Sequence, residues 1–249
     1  MANKKAQQAP KALSAVLIVL GMAVIGFAAW IIVDAVSGDP NQPENLPSSS
    51  NITIEPVEAP DIEDKAFLDG LVTVEKVSRY AGIFVEDGSD EIVSDVFAIT
   101  VVNNSDKMLQ YAQVMITCGG EDYTFDMSTV PAGARAQVLE KDKKALPEDL
   151  SGAQTVLTTV TEFQEAPSVY EDVFKLTPSE YSVGIKNISK SDISGDIYVY
   201  YKTKVGDLYM GGITYRAKVT DLAAGEEKSA YASHFFGADS EILFVTYAK

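Results

Sequence analysis

The pattern of hydrophobic and polar residues divides the chain into three parts. Residues 13–33 form an apolar run of twenty-one residues without a single charged side chain. Residues 35–66 are rich in proline, serine and acidic residues. Beyond them, apolar and polar positions alternate with a period of two in several segments. This order predicts a membrane-spanning helix, an extended linker and then a series of β-strands.

The apolar run has the length and the composition of a membrane-spanning helix. As an α-helix it would be about 32 Å long, which matches the hydrocarbon thickness of a bilayer. Its apolar side chains would point in every direction, as lipid requires. We predict a cytoplasmic tail over residues 1–11 and the helix over residues 12–34, because three lysines precede the run and one aspartate follows it. The residues expected to anchor the chain are Leu13, Leu17, Leu20, Phe27, Trp30 and Val33.

A secretory signal peptide is the alternative interpretation of the same run. Ala35-Val36-Ser37 resembles a cleavage site of small residues. Signal peptides have a shorter apolar core of about 7–15 residues, so the length favours an uncleaved anchor. In the anchored form, the C-terminal part of the chain would lie outside the cell membrane.

The linker and the strands follow from composition and alternation. Five of the ten prolines lie between residues 37 and 64, among serines and acidic residues. Such a segment buries too little apolar surface to fold, so residues 35–66 are predicted to be an extended, disordered linker. Farther along, Phe97, Ile99 and Val101 show the alternation of strands that are buried on one face. The fold class is therefore predicted to be mainly β.

The β-rich part also repeats itself. Asn103-Asn104-Ser105 and, later, Val130-Pro131-Ala132-Gly133 have counterparts in Asn187-Ile188-Ser189 and Leu222-Ala223-Ala224-Gly225. The repeat predicts two consecutive antiparallel β-sandwich modules, over residues 67–150 and 151–249, with the strand at 155–161 opening the second copy. One larger sandwich built from both halves is the alternative.

Two segments carry a resemblance to known proteins. Residues 101–141 and 195–247 resemble membrane-anchored envelope proteins of anaerobic Gram-positive bacteria. The order of strand, Asn-x-Ser, strand and Ala-Gly turn is similar to small immunoglobulin-like modules of the FxLYD type. The resemblance covers about residues 70–249. It implies immunoglobulin-like β modules located outside a membrane.

Charge and cysteine content restrict the partners and the environment. The net charge is −16, and the first 37 residues hold three lysines and one aspartate, so the rest of the chain carries −18. This charge repels nucleic acids and other polyanions and favours a neutral or cationic partner. Cys118 is the only cysteine, so no internal disulfide forms and the exported part depends on its core for stability.

The sequence contains few groups that could support catalysis or metal binding. His234 is the only histidine, and neither G-x-S-x-G nor S-x-x-K occurs. The acidic segment Glu86–Glu91 offers four carboxylates to calcium, but Asp87-Gly88 favours a solvated hairpin turn. Cys118 alternates with apolar residues and is predicted to be buried. We therefore predict no catalytic residue, no metal ion and no cofactor.

A group of tyrosines is the candidate binding surface. Tyr198, Tyr200, Tyr209 and Tyr215 belong to what is predicted as a hairpin closed at residues 206–207. Tyrosines on a sheet surface bind sugars or proteins well, because each ring is rigid and carries a hydroxyl. Ordinary packing within the strands is the alternative interpretation.

These observations predict a non-catalytic interaction or structural module of the cell envelope. Its partner would be an envelope protein or a glycan, and its single membrane span would leave the β modules extracellular. One alternative is an accessory subunit that uses the membrane helix for assembly. Another is a membrane-anchored hydrolase, which would need a polar cleft at His234 or at the acidic segment Glu86–Glu91.

Overall fold

The computed structural model describes residues 70–248. The predicted tail, membrane helix and linker lie outside these residues. Within the described range, no helix is long and apolar enough to cross a membrane. This part of the chain is mainly β, as predicted, with twelve strands and one short 3-10 helix at Gly237–Asp239.

The first β-sandwich consists of six antiparallel strands. The order β1–β2–β5 forms one sheet, and β4–β3–β6 forms the sheet that faces it. Between the sheets, the ring of Phe97 packs edge-on against Tyr123 and Phe125, with centroids 5.3 and 5.0 Å away. The alternating apolar residues of these strands thus form one buried core. The strands are β1 (Val72–Ile83), β2 (Ile92–Asn103), β3 (Leu109–Cys118), β4 (Glu121–Val130), β5 (Arg135–Leu139) and β6 (Gln154–Glu162).

The second sandwich has its own core. Strand β8 lies between β10 and β12 in one sheet, and β7 pairs with β11 in the other. Ile197 and Val199 of β8 are fully buried between the two sheets. The strands are β7 (Phe174–Asn187), β8 (Ile193–Val205), β9 (Leu208–Met210), β10 (Tyr215–Leu222), β11 (Glu227–Phe236) and β12 (Ser240–Tyr247).

Strand β7 turns back on itself near its middle. Tyr181 has a φ of +59°, and the hydroxyl of Ser179 contacts the hydroxyl of Ser182 at 2.6 Å. At the far end, the backbone N–H of Ile188 donates to the carbonyl of Val173 at 2.8 Å. The two halves of β7 therefore lie side by side as a hairpin.

The repeated sequence motifs build the same corner in both sandwiches. Asn103 ends β2 and Asn187 ends β7, and both side chains are buried. The Asn103 amide donates to the carbonyls of Lys107, Val130 and Pro131, and the Asn187 amide donates to those of Ser191 and Leu222. The backbone carbonyl of each asparagine accepts from the backbone N–H of the glycine in the Ala-Gly turn, Gly133 or Gly225, at 2.9 Å. Both glycines have positive φ values, 68° and 79°, which other residues rarely adopt.

The two sandwiches correspond strand for strand. Strands β1 and β2 match the first and second halves of β7. Strands β3, β4, β5 and β6 match β8, β10, β11 and β12, in that order, because the same strand pairings occur in both sandwiches. Strand β6 therefore belongs by pairing to the first sandwich, where it lies beside β3. The strand at 155–161, which is expected from the repeat to open the second module, thus pairs within the first sandwich. Alternation identifies a strand but does not identify the strand with which it pairs.

Strand β9 has no counterpart in the first sandwich. It pairs parallel with β5 and antiparallel with β8, so one seven-stranded sheet runs through both sandwiches. Tyr209 of β9 is only 3 % exposed and belongs to the first core. The two cores remain separate clusters, although the sandwiches share a sheet.

Candidate functional site

The outer face of the β10–β8–β12 sheet carries a row of aromatic rings. Because side chains alternate along a strand, Tyr198 and Tyr200 point away from the core that Ile197 and Val199 enter. Phe244 of β12, which is only 5 % exposed and packs against Phe163, stacks on Tyr200 with centroids 4.4 Å apart and planes inclined by 16°. Tyr198 follows at 6.4 Å from Tyr200. We call Phe244, Tyr200 and Tyr198 the aromatic row.

Two cations of β10 lie beside the aromatic row. The guanidinium of Arg216 lies 4.5 Å from the ring centroid of Tyr198, and the ammonium of Lys218 lies 5.5 Å from it. Lys218 is paired with Asp196 at 2.7 Å, and the Tyr198 hydroxyl donates to the same carboxylate. These hydrogen bonds to Lys218 and Tyr198 lower the pKa of Asp196.

Arg216 differs from the other two arginines of the chain. Arg79 pairs with Asp95, and Arg135 pairs with Glu75 and Asp207. Arg216 is exposed and forms no ion pair with any residue of the described range 70–248. A guanidinium held against a ring, with its N–H groups unpaired by a carboxylate, is suited to binding a carboxylate or a phosphate.

The four predicted tyrosines do not share one surface. Tyr198 and Tyr200 lie in the aromatic row, half-buried, whereas Tyr209 is buried in the first core. Tyr215 packs between Tyr201 and His234, with its ring 4.2 Å from the imidazole. Burial raises the pKa of both Tyr209 and Tyr215. Tyr209 is separated because β9 pairs with β5, which alternation does not reveal, and Tyr215 is separated because it lies on the same face of β10 as the buried Ala217.

Two further residues of this face, Phe244 and Arg216, are not among the predicted site residues. Phe244 pairs with Tyr200 in the β8–β12 ladder, and Arg216 pairs with Tyr200 in the β8–β10 ladder. The alternation Arg216-Ala217-Lys218, exposed then buried then exposed, is the signal that would have placed both cations on the outer face.

His234 links the two sandwiches. Its Nε2 lies 3.0 Å from Asp90 Oδ1, and its Nδ1 lies 2.8 Å from the hydroxyl of Ser233. Asp90 belongs to the loop between β1 and β2, whereas His234 belongs to β11. The three side chains come together in the composition of a hydrolase triad, but the Asp90 carboxylate is 65 % exposed, in contrast to the buried acid of such triads.

Two depressions on the described residues lie away from this cluster, with volumes of about 500 and 480 Å³. The first is lined by Arg79, Asp95 and Glu121, among others, and the second by Ile193 and Tyr247. The His234 cluster joins the β1–β2 loop to β11.

The carboxylates of the segment Glu86–Glu91 have different partners, except that Asp87 and Glu91 both pair with Lys143. Asp87 accepts from the backbone N–H of Ser89, Asp90 contacts His234, and Glu91 pairs with Lys143. Within the described residues, no group of three or more histidine, cysteine or acidic side chains is positioned to hold a metal ion. Cys118 is buried, and its thiol contacts the carbonyl of Asp149 at 3.1 Å.

Glu86, which is partly buried, and Lys202, which is fully buried, form a pair of ionisable side chains that both bond to Gly212 between the sandwiches. Glu86 accepts from the backbone N–H groups of Leu139 and Gly212, at 2.8 and 2.6 Å. Lys202 donates to the carbonyls of Ser128, Gly212 and Ile213 at 2.7 to 3.1 Å. Burial raises the pKa of Glu86 and lowers that of Lys202. The pair joins the loop before β10 to both sandwiches.

Comparisons with known proteins add little to this description. No protein-family model matches the chain, and no curated protein matches it. Among solved structures, the YadV chaperone is 11 % identical, with a TM-score of 0.21, over 72 % of this chain and 100 % of the chaperone. The red sea bream transglutaminase is 10 % identical, with a TM-score of 0.17, over 66 % of this chain and 27 % of the enzyme. Similarities at this level support no argument about function.

Proposed function

We propose that the chain is a membrane-anchored protein of the cell envelope whose two immunoglobulin-like sandwiches present a binding surface outside the membrane, without catalysis. The apolar run at residues 13–33, preceded by three lysines, supports the anchor and its orientation. The proline-rich acidic segment at 35–66 would act as a linker that separates the sandwiches from the bilayer.

The binding surface is the aromatic row together with Arg216. The observation that carries this assignment is the guanidinium of Arg216, exposed, stacked on Tyr198 and without a carboxylate partner in the described residues. Arg79 and Arg135 are both held by acids, whereas Arg216 is not, so Arg216 on an aromatic surface is suited to a ligand group. The partner would be an envelope protein or glycan without excess negative charge that presents a single carboxylate or phosphate beside an apolar surface.

The test compares three variants of the full-length chain in detergent on an array of glycans and peptides with and without carboxylate groups. Arg216→Ala and Tyr200→Ala should each weaken binding at least tenfold. Arg79→Ala, which removes the same charge from the first sandwich, should bind as the native chain does. Equal loss in all three variants, or no loss in Arg216→Ala, would refute the assignment of this face.

The membrane anchor is tested separately by cysteine labelling in intact cells. In a Cys118→Ala background, Ser48→Cys should react with a maleimide that does not cross membranes. Asn3→Cys should react only after the cells are opened. Labelling of both positions before lysis would refute the proposed orientation.

The non-catalytic assignment also makes a testable claim about His234. A broad screen of ester, amide and glycoside substrates should show no turnover by the native chain. Turnover that His234→Ala and Ser233→Ala both abolish would establish a hydrolase at the cluster with Asp90 and overturn the proposal.

A further inference from the structure

The two sandwiches differ at one strand edge. In the first, β5 has β2 on one side and β9 on the other, with Ala136 opposite Tyr209. Strand β11 is the counterpart of β5, because both follow the Ala-Gly turn and pair with the strand that ends in a buried asparagine. Within the described residues, β11 pairs with β7 alone, and its second edge is unpaired.

The direction of each backbone group at this edge follows from one hydrogen bond. The carbonyl of Glu226 accepts from the N–H of Asn187 at 2.9 Å, so Glu226 points toward β7. Backbone direction alternates along an antiparallel strand, and the groups of Glu227, Ser229 and Tyr231 therefore point toward the open edge. In β5, the residue equivalent to Ser229 is Gln137, whose carbonyl accepts from Gly211 next to β9.

The side chains around the open edge have the character of a binding surface. Tyr231 is 76 % exposed, and its cross-strand neighbour is Ser182. Ser229 lies two residues before it, opposite Gly184. A rigid tyrosine among small serine and glycine residues is a combination typical of protein-binding surfaces.

An inward-facing charged side chain on an edge strand usually prevents another strand from pairing there, and Lys228 is such a side chain on β11. It corresponds to Ala136 of β5. Here its ammonium group donates to the carbonyls of Thr220 and Asp221 in β10, at 2.9 Å to Thr220. Because these bonds direct the charge toward β10, Lys228 does not block a strand at the edge of β11.

We propose that the open edge of β11, over Glu227–Tyr231, binds an extended peptide segment of a partner protein, which adds as a parallel strand in the way that β9 adds to β5. The first sandwich provides the precedent within the same chain. The segment would be neutral or basic, because the chain carries a net charge of −16. It would carry one large apolar residue in the position of Tyr209, where that side chain enters a core. This site is distinct from the aromatic row and does not depend on membrane anchoring.

The probe is a fluorescent peptide with the sequence of residues 204–212, which includes β9. Its binding to the full-length chain in detergent is followed by fluorescence anisotropy. We expect saturable binding that Ser229→Pro weakens at least tenfold, because proline lacks the N–H that points toward the open edge. Ser229→Ala keeps that N–H and should bind as the native chain does.

A second probe makes the test independent of the stability of Ser229→Pro. The same peptide with alternate backbone nitrogens methylated cannot form the strand ladder and should not bind. Equal binding of both peptides, no binding of the unmodified peptide, or full binding to a folded Ser229→Pro chain would each overturn the proposal. A dimer of the full-length chain that Ser229→Pro dissociates would replace the partner peptide by a second copy, and would overturn the proposed occupant.

Discussion

Replacing the buried asparagines tests the idea that one corner stabilises both sandwiches. In Asn103→Ala, the side-chain amide loses its bonds to the carbonyls of Lys107, Val130 and Pro131. The side-chain oxygen also loses the N–H of Ser105. The amide has only two N–H groups to share among its three carbonyls, so about three hydrogen bonds are lost. At a net value of about 1 kcal/mol for each, the free energy of unfolding falls by about 3 kcal/mol.

Asn187→Ala should have a similar effect, since it removes an equivalent set of bonds. The Asn187 amide donates to the carbonyls of Ser191 and Leu222, and its oxygen accepts from the N–H and hydroxyl of Ser189. A small domain is stabilised by only about 5–15 kcal/mol, so either variant should show a large shift in urea denaturation. The assay is far-UV circular dichroism of the full-length chain in detergent.

The matched control is Asn104→Ala, which alters the neighbouring asparagine. The Asn104 side chain bonds to the carbonyl of Gly70 and the hydroxyl of Thr73, but it is exposed. Water replaces these partners, so its loss should cost less than about 1 kcal/mol. The reasoning fails if Asn103→Ala costs no more than Asn104→Ala, or if only one of the two buried asparagines is important for stability.

Three further predictions concern the junction between the sandwiches. Lys202→Met should lower the free energy of unfolding by about 3 kcal/mol in urea denaturation, because it removes three hydrogen bonds to the carbonyls of Ser128, Gly212 and Ile213; a loss below about 1 kcal/mol would contradict this. Burial raises the pKa of Glu86 above its usual value of 4.5. As the pH rises, the unfolded chain therefore loses this proton at a lower pH than the folded chain does. The free energy of unfolding should fall as the pH rises from 4.5 through the folded-state pKa. Glu86→Gln removes that decline, and an unchanged pH profile of the melting temperature would refute the assignment. Gly212→Ala would place a Cβ 1.8 Å from the carbonyl oxygen of Asp126 and should cost at least about 2 kcal/mol, whereas Gly184→Ala, whose closest contact would be 3.3 Å, should cost less.

The sequence alone contained enough information for the β-class and for the repeat. Period-two alternation places Ile197 and Val199 on the core face of β8 and leaves Tyr198 on the other face, because strand geometry is local. The recurrence of Asn-x-Ser and Ala-Gly was also readable, and the structure gives it a cause, since the same buried corner needs the same amide and the same glycine.

Tertiary structure alone decided which segments meet. Glu86 and Lys202 are far apart along the chain, and from the sequence their charges suggest only exposed residues. In the structure, Glu86 accepts from the backbone N–H of Gly212 and Lys202 donates to its carbonyl. Likewise, β9 is three residues long, too short for any alternation, and yet it brings Tyr209 into the first core. Side-chain periodicity depends on neighbouring residues and can be read along the chain. Strand pairing depends on the packing of distant segments. It determines which residues meet in the aromatic row, brings Glu86 and Lys202 to Gly212, and leaves one edge of β11 open.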